Sequence, residues 1–165
     1  MSAIIGIDPG QTGAIAAISA DRQVLLAVHD MPVLTTGKTK RINAVAICDI
    51  LREIHCEHGG IACVVIEQVN AMPGGGQRKM GASSAFTFGR GLGCLEGVVA
   101  AMLYRLHYAR PATWKAAAGL AGKEKDQART RALDLYPSAD IHRKRDIGRA
   151  DAILIAHFGG HDAGV

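Results

Sequence analysis

Apolar and polar residues alternate along the first thirty positions in three short bursts. "SAIIGI" is rich in β-branched residues and stops at Asp8-Pro9-Gly10, which predicts a buried strand. "GAIAAIS" and "VLLAVHD" follow at short spacing, with the turn residues "ADRQ" between them. Three strands joined by short turns predict an antiparallel meander. "TTGKTKR" then reads as a polar, basic loop. Its "GKT" is similar to a phosphate loop, but Pro32 stands where that motif needs glycine. In "RINAVAICDILREIHCEH", apolar residues at 42, 45, 47, 50, 51 and 54 have helical spacing, and Gly59-Gly60 ends the helix. "IACVVIE" is a continuous apolar run closing on Glu67, the pattern of a fully buried strand central in its sheet.

"NAMPGGGQRKMGASS" breaks the periodicity with a long glycine-rich, basic loop, a length that in a small domain points to function or disorder. "LGCLEGVVAAMLYRL" is helical, with Leu95, Val98, Val99, Met102, Leu103 and Leu106 on one side and small residues at 97, 100 and 101. "HYARP" predicts a short strand. "ATWKAAAGL", "KEKDQARTRALDLYP" and "IGRADAILIAHFGG" predict three helices, the second basic, amphipathic and stopped by Pro137. The order is βββ-α-β-α-β-α-α-α, without an internal repeat or a linker. An antiparallel start followed by crossover helices predicts one α/β domain over 1–165, built on a mixed sheet.

Charge adds a partner class. The 165 residues carry a formal charge of +4, much of it clustered, which favours a polyanionic partner. No basic segment precedes the first apolar run and no run is long enough to span a bilayer, so a cytoplasmic protein is expected, with no membrane partner. Cys48, Cys56, Cys63 and Cys94 show no framework spacing and are expected reduced. His55, Cys56 and His58 lie close together, but no second cluster completes a tetrahedral zinc set.

Three carboxylates fall at element ends. Asp8 closes the first strand, Glu67 closes the most buried one, and Asp151 sits near the start of an otherwise apolar last helix. Ligand-binding residues of an open α/β sheet gather at strand ends. Parallel pairing of the first and fourth strands would set Asp8 beside Glu67, and a helix packed over that end could bring Asp151 to them. Three clustered carboxylates repel unless a cation neutralises them, and oxygen-only ligands favour magnesium or manganese. Two such ions about 4 Å apart form a two-metal phosphodiesterase site. Taken singly, each acid also fits a turn or a helix N-terminus.

"IIGIDPGQTGAIA", "VVIEQVNAMP", "FGRGLG", "TWK", "EKDQA" and "GRADAILIA" occur in an order that resembles RuvC-type Holliday junction resolvases, above all their phage-encoded branch. The resemblance covers nearly the whole chain. It implies an RNase H-like fold, with a five-stranded mixed sheet flanked by helices, and a homodimer. It also implies magnesium-dependent hydrolysis of DNA phosphodiesters at four-way junctions, in paired symmetric cuts, within a bacterium or a phage-infected host. Asp8, Glu67 and Asp151 match acidic metal ligands of that family, and Lys115 and Lys125 match lysines near the scissile phosphate.

Two positions depart from the family pattern. Gly148 stands where cellular members carry a fourth ligand, three residues before the last acid. The nearest acid is Asp146, five residues before Asp151; five helical steps turn about 500°, so Asp146 could join the metals only from the turn before the helix. Ligand and helix cap are both open for it. Asn70 stands where cellular members place an aromatic that contacts unpaired bases, and Phe86 and Phe88 are the candidates to replace it, with core packing as the alternative for each. For junction phosphates, the basic candidates are Arg78, Lys79, Lys123, Arg129, Arg143, Lys144 and Arg145. The alternatives are a nuclease that also cuts flaps and forks, a DNA-binding protein without cleavage, and an actin- or sugar-kinase-type ATPase. The last needs two such domains, more than 165 residues supply.

Overall fold

The computed structural model describes residues 2–68, 81–124 and 126–160. Strands β1 (Ala3–Asp8), β2 (Ala14–Ser19) and β3 (Leu25–Asp30) form the expected meander, followed by β4 (Val33–Thr36), β5 (Thr39–Ile42) and helix α1 (Ala44–His58). Next come β6 (Ile61–Glu67), α2 (Ala82–Ala101), β7 (Leu106–Ala109), α3 (Pro111–Ala117), α4 (Gln127–Leu135) and α5 (Ile147–Phe158). Five strands form one sheet in the order β3-β2-β1-β6-β7. The first three pair antiparallel, whereas β1–β6 and β6–β7 pair parallel.

Side chains alternate across this sheet, so each strand feeds two cores. Ile5, Ile7, Val64 and Ile66 pack against α1 and α2 through Ile47, Leu51, Leu95 and Val99. Ile4, Cys63 and Val65 pack on the other side with Trp114, Ala132 and the apolar run Ile153–Leu154–Ile155. α5 is buried nearly all round because it lies directly on β1 and β2. Gly6 permits that approach: a Cβ there would collide with the Ala152 carbonyl oxygen and the Ala156 backbone nitrogen. Among the described residues, no helix is long and apolar enough to cross a membrane.

Three elements differ from the sequence reading. The expected loop "TTGKTKR" belongs instead to a β-hairpin, in which β4 and β5 pair antiparallel from Val33↔Ile42 to Thr36↔Thr39. Gly37 takes φ 60° at the first turn position, as a two-residue hairpin turn requires. Ile42, expected on the first helix, closes β5 and is buried there, and Asn43 caps α1 by accepting from the Ala46 N–H at 3.3 Å. α2 starts ten residues earlier than the apolar periodicity indicated, at Ala82, and ends at Ala101. Its early end leaves Leu103 exposed with φ 59° and gives Leu106 to β7.

Candidate functional site

Asp8 and Glu67 end neighbouring parallel strands, one position beyond the Ile7↔Ile66 pair. By strand alternation both belong to the sheet face covered by α3, α4 and α5. Burial, and next the Glu67 charge, push the Asp8 carboxyl up from its ordinary 3.8 to about 6. The Lys115 ammonium and a Gly10 backbone hydrogen bond pull in the opposite direction and only partly offset this. A buried carboxylate beside a second one is a ready ligand pair for a hard cation.

A cavity of about 450 Å³ opens beside them, walled by Asp8, Thr12, Lys115, Lys123, Arg145 and Asp151 among others. Asp8 and Asp151 thus line one cavity. Among the described residues, no group of three His, Cys, Asp or Glu side chains is gathered closely enough to hold a metal ion. The donor chemistry of Asp8 and Glu67 fits a divalent cation, and Asp151 stands on the wall of the same cavity.

Trp114 is the residue that sequence reasoning missed. Only 1% exposed, it donates from its indole Nε1 to Glu67 Oε1 at 3.1 Å. The same ring carries the Lys115 ammonium 5.1 Å from its centroid. One rigid indole therefore holds Glu67, beside Asp8 at the strand ends, and carries Lys115, which lines the cavity. The only sequence signal was an aromatic beside Lys115 near the start of a short helix; the partner came from another element. We expect Trp114→Phe to keep the packing and weaken any divalent-cation binding at this carboxylate pair by about tenfold, the worth of one hydrogen bond to a charged group. Calorimetric titration with manganese checks this, and an unchanged affinity would show the bond to be dispensable.

Gly148 leaves no room for a side chain. A Cβ at this position would lie 2.6 Å from the Thr12 carbonyl oxygen and 3.0 Å from Gly13 Cα. The β1–β2 turn occupies the space a longer side chain would need.

Asp146 occupies the N-cap position of α5 but does not cap it. Its backbone, at φ −78° and ψ 21°, departs from the extended geometry of a cap. The carboxylate instead turns back, accepting from the Arg143 backbone N–H at 2.8 Å and from its Nε at 2.9 Å. An Nη2 contact at 2.8 Å completes the ion pair. These hydrogen bonds hold Asp146 below the usual carboxylate range. It does not line the cavity.

The other basic candidates separate. Lys123 and Arg145 are exposed and line the cavity, and Lys144 is exposed. Arg129 is bound to Asp126 at 2.9 Å and to the His142 carbonyl. Arg143 is committed to Asp146. Asn70, Arg78, Lys79 and Lys125 lie outside the described residues. Phe86 is exposed and Phe88 half-buried, so Phe86 is not a core residue.

A mixed five-stranded sheet with this strand order, flanked by helices, has the RuvC/RNase H-like fold. Two solved structures share it over nearly the whole chain. RuvC of T. thermophilus in complex with a Holliday junction substrate superposes with a TM-score of 0.67 at 17% identity, covering 99% of this chain and 95% of that one. A second structure of Thermus thermophilus RuvC gives 0.64 at 15% identity, covering 98% and 96%. No family model and no curated protein matches the chain.

Proposed function

We propose that this protein is a divalent-metal-dependent DNA endonuclease that resolves four-way junctions, of the RuvC type and closest to its phage-encoded branch. The observation that carries the reading is the paired strand ends: Asp8 and Glu67 share one sheet face beside a cavity whose wall adds Asp151, Lys115, Lys123 and Arg145. Acids alone would repel DNA; acids ringed by lysine and arginine suit a metal-bridged phosphate. Asp8, Glu67 and Asp151 would hold two magnesium ions, for which manganese can substitute. When bound, such ions supply an activated water and stabilise the leaving oxygen. The protein's own contribution is positional. Trp114 fixes one Glu67 oxygen, Lys115 lies across the indole toward the cavity, and Lys123, Lys144 and Arg145 draw the phosphate backbone to its rim. Lys125, Arg78 and Lys79 are further candidates for this grip, and the protein is expected to act on branched DNA in the cytoplasm.

The test is a panel of linear, flap, fork and four-way DNAs incubated with the protein in magnesium. Paired nicks at symmetric positions of the four-way junction support the reading; equal cutting of flaps and forks would make this a general branch nuclease, and no cutting of any branched DNA would overturn it.

Paired cuts require two active sites related by a twofold axis, hence a homodimer. α2 offers the face. Gly93, Gly97, Ala100 and Ala101 are exposed on it, while Leu95, Val98 and Val99 pack inward. A Cβ at Gly97 meets nothing within 4 Å, so a larger residue there leaves the protomer intact. Gly97→Leu should therefore yield a folded monomer that nicks junctions once, where the parent is a dimer that cuts twice. Light scattering with and without junction DNA checks this; a parent that stays monomeric in both removes the dimer.

A further inference from the structure

The connection between α4 and α5, residues 136–146, holds three consecutive cations, Arg143-Lys144-Arg145, and has no helix or strand of its own. Such a segment is ordered only where other groups fasten it. Ala139 and Ile141 fasten it from within, both fully buried. Three arginines fasten the rest. Arg129 of α4 donates to the His142 carbonyl at 3.1 Å. Arg143 closes on Asp146. Arg149 of α5 donates through Nη1 to the Asp140 carbonyl at 3.1 Å and to Asp140 Oδ2 at 3.0 Å, and through Nε to Asp30 Oδ1 at 2.6 Å. Asp30 ends β3 opposite Ala14, and the next N–H, of Met31, donates to the Gly13 carbonyl at 2.9 Å. Arg149 therefore ties the connection to the strand end that abuts the turn following Asp8.

Its charge does not suit its place. Arg149 lies in the first turn of α5, where a cation opposes the helix dipole. Its side chain is 15% exposed, whereas those of Asp30 and Asp140 are 69% and 78% exposed. Ion pairs to carboxylates so exposed add little stability, so stability alone does not account for a guanidinium buried here. A guanidinium does reach what an ammonium cannot: its rigid fork serves two carboxylates of different elements and a backbone carbonyl at once. Two cations of the connection are then left over. Lys144 and Arg145 are exposed, and among the described residues neither forms an ion pair. Arg145 lines the cavity of Asp8 and Asp151.

We infer that Arg149 is a positioning residue: by fastening Asp140 to Asp30 it holds the α4–α5 connection in the conformation that presents Lys144 and Arg145 to a DNA phosphate beside the Asp8 cavity. That the anion is DNA rests on the nuclease reading. The gain is preorganisation, because a segment already ordered loses less freedom on binding. Arg149 itself is turned to the two carboxylates and touches no phosphate.

The experiment measures binding of a fluorescent four-way junction to the full-length protein in chelator, over a salt series, at a temperature where melts show each variant folded. Arg149→Ala should bind about tenfold more weakly with an unchanged slope of log affinity against log salt, because the same phosphates are contacted once bound. Lys144→Ala combined with Arg145→Ala should instead flatten the slope by about 1.8, for two phosphate contacts. Adding Arg149→Ala to that pair should cost nothing further, since Arg149 acts only through them. Arg149→Lys keeps the charge and loses the fork, and should not restore binding. Asp140 gives a test that leaves Arg149 in place. Asp140→Asn and Asp140→Ala remove the same charge, but only asparagine still accepts from Arg149, so the alanine variant should bind about threefold more weakly than the asparagine one. Parental affinity in Arg149→Lys, a slope flattened by about 0.9 in Arg149→Ala, additive losses in the triple variant, or equal binding by the two Asp140 variants would each overturn the positioning role. Junction cutting in magnesium is scored in parallel. A parent that binds junctions with these variant effects but cuts no branched DNA keeps the positioning role and removes the nuclease. A parent that cuts, with Arg149→Ala binding as tightly as the parent, does the reverse.

Discussion

Asp8→Asn is expected to lower junction cutting about a thousandfold or more, a loss of several kcal/mol from transition-state stabilisation, while making the metal-free protein more stable. The two effects have one cause. Asp8 is held at a raised pKa of about 6, first by burial and then by Glu67, against an ordinary 3.8. A carboxyl with a raised folded pKa binds its proton more tightly in the native state than in the unfolded one. Its ionisation therefore costs stability progressively as pH rises from about 4 to 6, and the whole cost stands above pH 6. At 1.36 kcal/mol per unit, that cost is at most roughly 3 kcal/mol. Asparagine carries no such cost. Thermal melts in chelator should show Asp8→Asn melting several degrees above the parent at pH 8, with the gain gone below pH 4. Added magnesium should raise the parent's melting temperature and leave the variant's unchanged. Junction binding should persist in the variant, because it removes a negative charge that faces phosphate. Cutting near the parental rate, or a stability gain that does not vanish at low pH, would contradict the assignment of Asp8 as half of a cation-binding pair.

That pair could be read from the chain because each of its acids ends an apolar run long enough to be a buried strand. Parallel pairing of those runs then left little freedom in where the acids meet. α5 was equally plain, since "AILIA" leaves no polar face. The hairpin escaped for the opposite reason. Thr35, Thr36, Lys38, Lys40 and Arg41 are all exposed, so no buried face imprints a period of two on them. The first half of α2 was hidden in the same way: residues 82–87 are all exposed, and Gly89, Gly91 and Gly93 dilute any helical stripe. Contacts between distant elements were beyond reach altogether. The indole of Trp114 finds Glu67 across 47 positions, and Gly148 meets the Thr12–Gly13 backbone only once α5 lies on β1.

Asp146 shows how a local rule can name the wrong partner for a correctly chosen residue. An acid just before a helix ordinarily accepts from the helix's free N–H groups. Here the preceding turn brings Arg143 close enough to take both carboxylate oxygens, and the residue is left only 2% exposed. Removing the arginine takes away both the partner and the cover of this charge, while the backbone N–H bond at 143 stays. We expect Arg143→Ala to lower the melting temperature by about 2–4 °C at pH 7, and Asp146→Asn by less, because the amide removes the charge and can still accept from the Arg143 N–H. The sign of the pH effect follows from the depressed Asp146 pKa. Stability from the ion pair is present above the ordinary carboxylate range, near pH 4, and is lost as pH falls through the lower folded value. The melting difference between parent and Arg143→Ala should therefore shrink on acidification, as that of Asp8→Asn does, but with the opposite sign: a loss that fades rather than a gain that fades. Cutting adds the functional half. If Asp146 serves only to lock this turn, Asp146→Asn should cut at close to the parental rate below its melting temperature. A loss as deep as that of Asp8→Asn would place Asp146 among the cation ligands and require the turn to release it when metal and DNA arrive.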